Sequence, residues 1–354
     1  MLYGVLTSIR NFLYDIGLLP SRKKNVATIV VGNLAVGGTG KTPHTEFIIS
    51  ELQHLFRVAS LSRGYKRKTK GFVIAGKEKS ALDVGDEPLQ IYTKFNSIPV
   101  AVSENRNVGI DALLKLYPNL DAIILDDAFQ HRRVKPGLSV LLTDYNKLFT
   151  RDCLMPGGRL RESKRQAKRA DIIVVTKCPK DIRPIDMRVV EQEVKPSMYH
   201  PVFFSNYVYD EPMPVFINYA ENFWRFEDIQ QTKASVLLVT GIVSPMMIIE
   251  HLEQYTDDIV HLSFPDHHQF NQKDIKLIEK TFYELPNKNK LILMTEKDAV
   301  RLLNNPFVPN SLMYHLFTLP IRVNILNNKE TAFIKLITDY VTEDSRSRRL
   351  STKY

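Results

Sequence analysis

Cysteine is scarce. The chain has only Cys153 and Cys178 in 354 residues, which excludes a disulfide framework and a cysteine-based metal cluster and makes a reducing compartment its natural home. Long apolar runs are missing too: the most apolar stretch at the start is broken by Arg10 and Asp15, so it is not a spanning helix. Neither a basic start nor a small-residue cleavage site accompanies it, which argues against a signal peptide. No low-complexity tract and no fixed-period repeat occurs, which argues against a solenoid or a disordered chain.

What remains is an ordinary globular composition at a length that suits two domains, or one large α/β domain with an appendage. The net charge of +9 favours anionic partners such as nucleic acid, a membrane surface or phosphorylated substrates. The cations cluster in "SRKK", "SKRQAKR" and "SRSRRLSTK"; the last, within 341–354, is expected to be a disordered basic tail. In residues 1–24, Leu2, Val5, Leu6, Ile9, Phe12, Leu13 and Ile16 recur at helical spacing, with Gly4, Ser8, Asn11 and Asp15 opposite. Such an amphipathic helix followed by Arg22, Lys23 and Lys24 suits a membrane interface, where each cation near an anionic leaflet contributes roughly 1 kcal/mol. The other reading is a helix packed on its own domain.

From residue 27 onward, "ATIVVGN", "RVASLS", "DAIILDD", "SVLLTD" and "DIIVVTK" are continuously apolar with polar C-terminal ends. That is the pattern of strands buried on both faces of a parallel sheet. Helix-period stretches such as "TEFIISELQHLF" and "NRNVGIDALLKLY" separate them, which predicts a doubly wound α/β core over 25–205 with ligands at the carboxyl ends of its strands. "KPSMYHPVFFSNYVYDEPMPVF" is expected to be a connection. A second alternating set, "ASVLLVTGI", "DIVHLSF" and "KLILMT", predicts a smaller α/β domain over 206–340.

The stretch "VGNLAVGGTGKTPHTEF" carries the chemistry. A Walker A loop reads G-x-x-x-x-G-K-[ST]. Here Gly40, Lys41 and Thr42 close the motif, but Ala35 stands where its first glycine belongs, and Gly37 and Gly38 supply the backbone freedom. Residues Ala35, Val36, Gly37, Gly38, Thr39, Gly40, Lys41 and Thr42 would hold the phosphates of ATP through backbone N–H groups and the helix dipole. Lys41 would reach the β- and γ-phosphates and Thr42 a magnesium ion. "AIILDDAFQHRR" reads as a Walker B pattern with Asp126 and Asp127 offered to Mg2+. "VTKCP" resembles the end of a guanine-reading motif, but Pro179 replaces its aspartate, which favours ATP over GTP.

"VGNLAVGGTGKTP", "LSRGYKRK", "VGDEPLQI", "ENRNVG", "ILDDAFQHRRV", "MPGGRLRES", "FPDHHQF" and "MTEKDAVRL" occur together and in this order. The set resembles the tetraacyldisaccharide 4'-kinases of lipid A synthesis, over roughly residues 25–305. The resemblance implies a P-loop NTPase-like, mostly parallel sheet flanked by helices, with a smaller α/β domain. It also implies ATP-dependent phosphorylation of the 4'-hydroxyl of a lipid A disaccharide 1-phosphate, at the cytoplasmic face of the bacterial inner membrane. It assigns Asp86 as the base, His267 as its partner across the cleft, Glu162 as an aid to magnesium and Arg161 as a phosphate contact. Arg63, Arg106 and Gln130 become candidates for substrate or phosphate contacts. Without it, Asp86 and Glu87 read as an exposed loop, and His267 as one of an adjacent histidine pair on a turn; under the resemblance, only one of His267 and His268 should face Asp86. Two other readings stand beside the kinase. One is a membrane-associated P-loop switch ATPase that positions a partner. The other is a nucleic-acid-binding ATPase, which only charge suggests and no reading motif supports.

Overall fold

A computed structural model describes residues 2–351 apart from 220–222 and 243–244. The apolar runs form strands: β1 (Ala27–Asn33), β2 (Val58–Ser62), β3 (Val73–Ile74), β4 (Val100–Val102), β5 (Ala122–Asp126), β6 (Leu138–Asp144), β7 (Ile172–Thr176) and β8 (Val202–Tyr209). Next come β9 (Met213–Pro214), β10 (Ser235–Thr240), β11 (Ile259–Ser263), β12 (Lys290–Thr295), β13 (Leu316–Leu319) and β14 (Ile321–Ile325). Nine strands form one sheet in the order β14-β8-β7-β6-β1-β5-β2-β4-β3, antiparallel only at its two edges. The other five form a second sheet, β11-β10-β12-β13-β9.

Helices cover both faces of the large sheet, which is why its central strands need no polar alternation. Ile48, Ile49 and Leu52 of the helix Lys41–Leu52 pack on one face with Phe333, Ile337 and Val341. Ile110 and Leu113 of the helix Arg106–Leu116, and Met187, Val190 and Val194 of Pro184–Val194, cover the other. The small sheet repeats this plan with Ile275, Ile278 and Phe282 on one face and Phe226, Ile229, Ile248 and Leu252 on the other.

Close approach fixes one residue in β1. A Cβ added at Gly32 would lie 2.6 Å from the Cβ of Phe129. Gly32→Ala is expected to destabilise by roughly 1–3 kcal/mol through overpacking, seen as a lower urea midpoint at unchanged slope.

Three expectations need correction. The segment expected to connect the domains contains β8, whose "VFFSNYVY" is buried over most of its length and is rich in strand-forming residues. The boundary at 340 is also displaced: after β13 the chain returns to the large sheet as β14, which pairs antiparallel with β8. The second sheet is thus an insertion between two adjacent strands of the first. Finally, the tail is not disordered where it is described, because the helix Glu330–Ser351 runs through it. Phe333, Ile337 and Val341 continue a four-residue stripe into the first core, and Arg348 bonds Asp344 and the carbonyl of Asp121. Residues 352–354 and Met1 lie outside the described residues.

The N-terminal helix, Leu2–Asp15, lies with its polar side against the large domain. Asn11 is buried and donates to Glu162, Arg132 pairs with Asp15 at 2.7 Å, and Tyr3 Oη donates to the carbonyl of Arg161. Its apolar stripe faces outward: Val5, Leu6, Ile9, Phe12 and Ile16 are each more than half or about half exposed, at 50–59%. Among the described residues, no helix is long and apolar enough to cross a membrane.

Candidate functional site

The P-loop follows β1 at the carboxyl edge of the sheet. Its left-handed positions are Gly37 (φ 108°) and Gly40 (φ 85°), where a side chain would be strained. Ala35 is not among them. It is buried and bridges Leu160, while the N–H of Val36 donates to the carbonyl of Arg159 and that of Arg161 to Leu34. Residues 34–36 therefore form a short antiparallel strip with 159–161, and the turn proper begins at Gly37. This accounts for an alanine at the first Walker A position and delivers Arg161 to the edge of the loop.

Neighbouring strand ends brace the turn. Asn33 Nδ2 donates to Thr39 Oγ1 at 2.7 Å, and Thr176 Oγ1 donates to the carbonyl of Thr39 at 2.9 Å. Lys177, in the "VTKCP" stretch, bonds the carbonyl of Gly38 and lies 3.1 Å from Asp144. Behind the loop, His44 contacts the carbonyl of Gly40 and Ser205, and burial pushes its pKa down to about 4, so it stays neutral.

Asp126 and Asp127 stand at the end of the adjacent strand β5. Asp127 adopts φ 45° and its carboxylate sits between Lys41, at 3.8 Å, and Arg161, at 3.2 Å. Asp126 is fully buried and accepts from Thr45 Oγ1 at 3.0 Å. Burial pushes its pKa up to about 7, helped by the negative charges of Glu87 and Asp127 and opposed by Lys41. Glu87 thus shares the electrostatic surroundings of this carboxylate pair, and Gln90, three residues on, donates to Glu46 of the P-loop helix at 2.7 Å.

Asp86 opens the helix Asp86–Lys94, directly after Gly85 with φ 98°. A Cβ at Gly85 would meet the carbonyl of Tyr65 at 3.1 Å, so the "SRGY" loop leans on this turn. The Asp86 carboxylate is almost fully buried. It accepts from His267 Nδ1 at 2.7 Å and from Arg301 Nη2 at 2.8 Å, both from the second domain. Burial alone would raise its pKa, but these two hydrogen bonds and the charge of Arg301 win and hold it at about 2. His267 itself has φ 63°, rare for a residue with a Cβ, and the ring of Tyr65 meets its edge. His268 turns away and bonds Asp274 at 2.8 Å within its own domain.

The structure thus assembles Lys41, Asp127, Arg161 and Gln130, the last at 3.5 Å from Arg161 and bonded to the carbonyl of Asn33. It places Arg106 beneath them, its guanidinium reaching the carbonyl of Asp127 at 3.4 Å. Burial lowers the pKa of Arg106 to about 10, and exposed Arg63 contributes to the same effect. Glu162 does not join the aspartates. It is buried with Arg169, Asn11 and Arg10 as partners, so its carboxylate is spent on anchoring the N-terminal helix. Sequence reasoning missed the parts played by Arg301, Asn33, Thr45 and Lys177. The first lies in the quoted "MTEKDAVRL", where its spacing of three from Asp298 was the available signal.

The description "Tetraacyldisaccharide-1-P 4'-kinase" belongs to the family that matches residues 1–342. A "Tetraacyldisaccharide 4'-kinase" of Bacteroides thetaiotaomicron is 46% identical over 99% of this chain and 94% of that protein. One from Bacteroides fragilis is 48% identical over 99% and 93%. A crystal structure of LpxK from Aquifex aeolicus in complex with ATP is 29% identical, covers 96% of both chains and superposes with a TM-score of 0.72.

Proposed function

This chain belongs to the tetraacyldisaccharide-1-P 4'-kinase family, and on that footing we propose how its two domains divide the work. It is a kinase: it transfers the γ-phosphate of ATP to the 4'-hydroxyl of a tetraacyldisaccharide 1-phosphate, a step of lipid A biosynthesis. Family membership favours this reading over a switch ATPase. The observation that carries the mechanism is the contact of His267 with Asp86, next to a P-loop.

Phosphoryl transfer is mostly positioning and charge neutralisation. Residues 35–42 cradle the phosphates. Lys41 moves from Asp127 to the β- and γ-phosphates, and Arg161, with Arg106 and Arg63 behind it, adds positive charge where the transferred group gathers its own. Asp86 accepts the proton of the acceptor hydroxyl. A carboxyl held at about pKa 2 is a weak base at rest, so its help comes late, as the hydroxyl acquires phosphorus and turns acidic. His267, donating from Nδ1, fixes the orientation of Asp86.

Magnesium suits the same edge. Asp126, Asp127 and Thr42 would hold it, and it would neutralise the phosphate oxygens. Burial is the main cause that raises the pKa of Asp126 to about 7, the negative charges of Glu87 and Asp127 add to it, and a cation would relieve that charge. Among the described residues no group of three His, Cys, Asp or Glu could hold a metal alone. That accords with an ion that takes one or two carboxylates and completes its shell with phosphate and water.

The acceptor carries acyl chains, so the enzyme would work at the membrane surface, on the cytoplasmic face of the inner membrane. The outward stripe of the N-terminal helix supports this, with exposed Arg22 and Lys23 close behind, whereas Lys24 is taken up by Asp111 at 2.7 Å. Replacing Leu6, Ile9 and Phe12 together by Asp is expected to release the protein from anionic vesicles in a sedimentation assay. The melting temperature should change little, because these side chains touch solvent rather than core. A large drop in melting temperature would assign the stripe to packing.

The test of the reading is direct. With γ-labelled ATP and the disaccharide 1-phosphate lipid, label should appear at the 4'-position. ATP hydrolysis that ignores the lipid, with no labelled lipid formed, would reject it.

A further inference from the structure

The segment that follows β12, Glu296–Arg301, grips the first domain at two points. Near its start, Glu296 pairs with Lys94 at 3.0 Å, and Lys94 in turn pairs with Glu46 of the P-loop helix at 2.8 Å. At its end, Arg301 pairs with Asp86 at 2.8 Å. Asp86 and Lys94 are the first and last residues of a single helix, so one short piece of the second domain holds that helix at both ends.

The Arg301 side chain is completely buried. Its other terminal nitrogen, Nη1, donates to Asp298 Oδ1 at 2.7 Å. Asp298 Oδ2 is bonded by the N–H of Gly241 at 2.8 Å and by Thr295 Oγ1 at 2.7 Å, at the ends of β10 and β12. The guanidinium is therefore braced against the second sheet while it holds a carboxylate of the first domain. Arg301 and His267 both donate to the same oxygen, Asp86 Oδ2. That leaves Oδ1 as the oxygen to meet the acceptor hydroxyl.

We propose that Arg301 is a positioning residue for the transfer: from the second domain it fixes which oxygen of Asp86 faces the acceptor, and so makes the base ready only when the two domains are docked. This rests on the reading of Asp86 as the base. A fork that donates in two directions at once needs arginine, and lysine cannot reproduce it. A purely architectural buried ion pair would also raise stability, but it would have no reason to share an oxygen with His267.

The charged and titratable groups around this point are Arg301 and His267 in direct contact, Asp298 behind Arg301, and Asp266 and Lys297 beside His267. Removing Arg301 takes away a cation that favours the charged form of Asp86, so its pKa rises. Protonated Asp86 cannot accept a proton, so activity is then lost as the pH falls. A merely structural role would scale kcat equally at every pH.

The experiment uses the full chain, labelled ATP and the disaccharide lipid, with kcat and KM measured from pH 5 to 9. Arg301→Lys is expected to lower kcat by about tenfold and Arg301→Gln by about 10²-fold, within the range of general-base effects, with KM for ATP changed less than about twofold. Arg301→Gln should also show a decline of kcat toward pH 5 that begins at a higher pH than in the unmodified enzyme. Should the Gln variant fail to fold because it strands Asp86 and Asp298, the Lys variant decides alone. Folded variants with kcat within about twofold of the unmodified enzyme, or a folded Arg301→Gln with an equal loss at every pH, overturn the proposal. A fully active Asp86→Ala would instead remove the base itself, whereas an inactive Asp86→Ala beside an active Arg301→Lys would remove only the role of Arg301.

Discussion

Asp86→Ala is expected to lower kcat by about 10²–10⁴-fold, the usual worth of a positioned proton acceptor, and to leave ATP affinity nearly unchanged. The phosphates are held by residues 35–42, whereas Asp86 meets the acceptor. His267→Ala should show the same pattern, because His267 acts through the one oxygen it shares with Arg301. The double variant should be little worse than either single one, since residues that act as a unit are non-additive. His268→Ala should be mild, because its ring is engaged with Asp274 and stacks on Phe264. Steady-state kinetics of the four proteins check this. A double variant that loses the product of the two single losses would mean that Asp86 and His267 act separately.

Lys41→Ala is expected to lower kcat/KM by about 10³-fold or more, the scale seen when a cation is withdrawn from a transferring phosphoryl group. The fold should survive. Lys41 heads its helix with its nitrogen 3.8 Å from Asp127, and Asp127 keeps Arg161 at 3.2 Å when the lysine is gone. An unchanged melting temperature together with lost transfer is the expected pair of results. Lost transfer in a protein that also melts early would leave Lys41 as a structural residue, and full activity would remove it from the site.

The carboxyl-edge half of this site was legible because the chemistry is local. A strand, a glycine turn, Lys41, Thr42 and a helix lie in one short stretch, and the run before Asp126 announces a buried strand. The same holds for β1, β2, β5, β6, β7, β10 and β12, whose continuous apolarity carries their burial. What could not be read is long-range. Asp86 and His267 look like loop polar residues until the sheets bring them within 2.7 Å. Glu162 sits next to Arg161 in sequence, but the pull of Arg169 and Asn11 turns it to the other side. The "VFFSNYVY" strand was hidden by flanking prolines, which mark turns without saying what lies between them. The return of the chain to the first sheet as β14 leaves no local trace, since an edge strand in either sheet would have the same pattern.

Because the second sheet is inserted between β8 and β14, the chain leaves and re-enters the first domain at adjacent points. The N–H of Asp210 donates to the carbonyl of Pro320 at 3.0 Å, and Arg322 pairs with Asp210 at 2.7 Å. A domain held by two strands bonded to each other cannot swivel about a single bond. Its freedom is reduced to bending across that ladder, and this keeps His267 and Arg301 at a high effective concentration near Asp86. The entropy of bringing catalytic groups together from two domains has thus been largely spent by the connectivity, and the contacts at the cleft have only to select among a few nearby orientations.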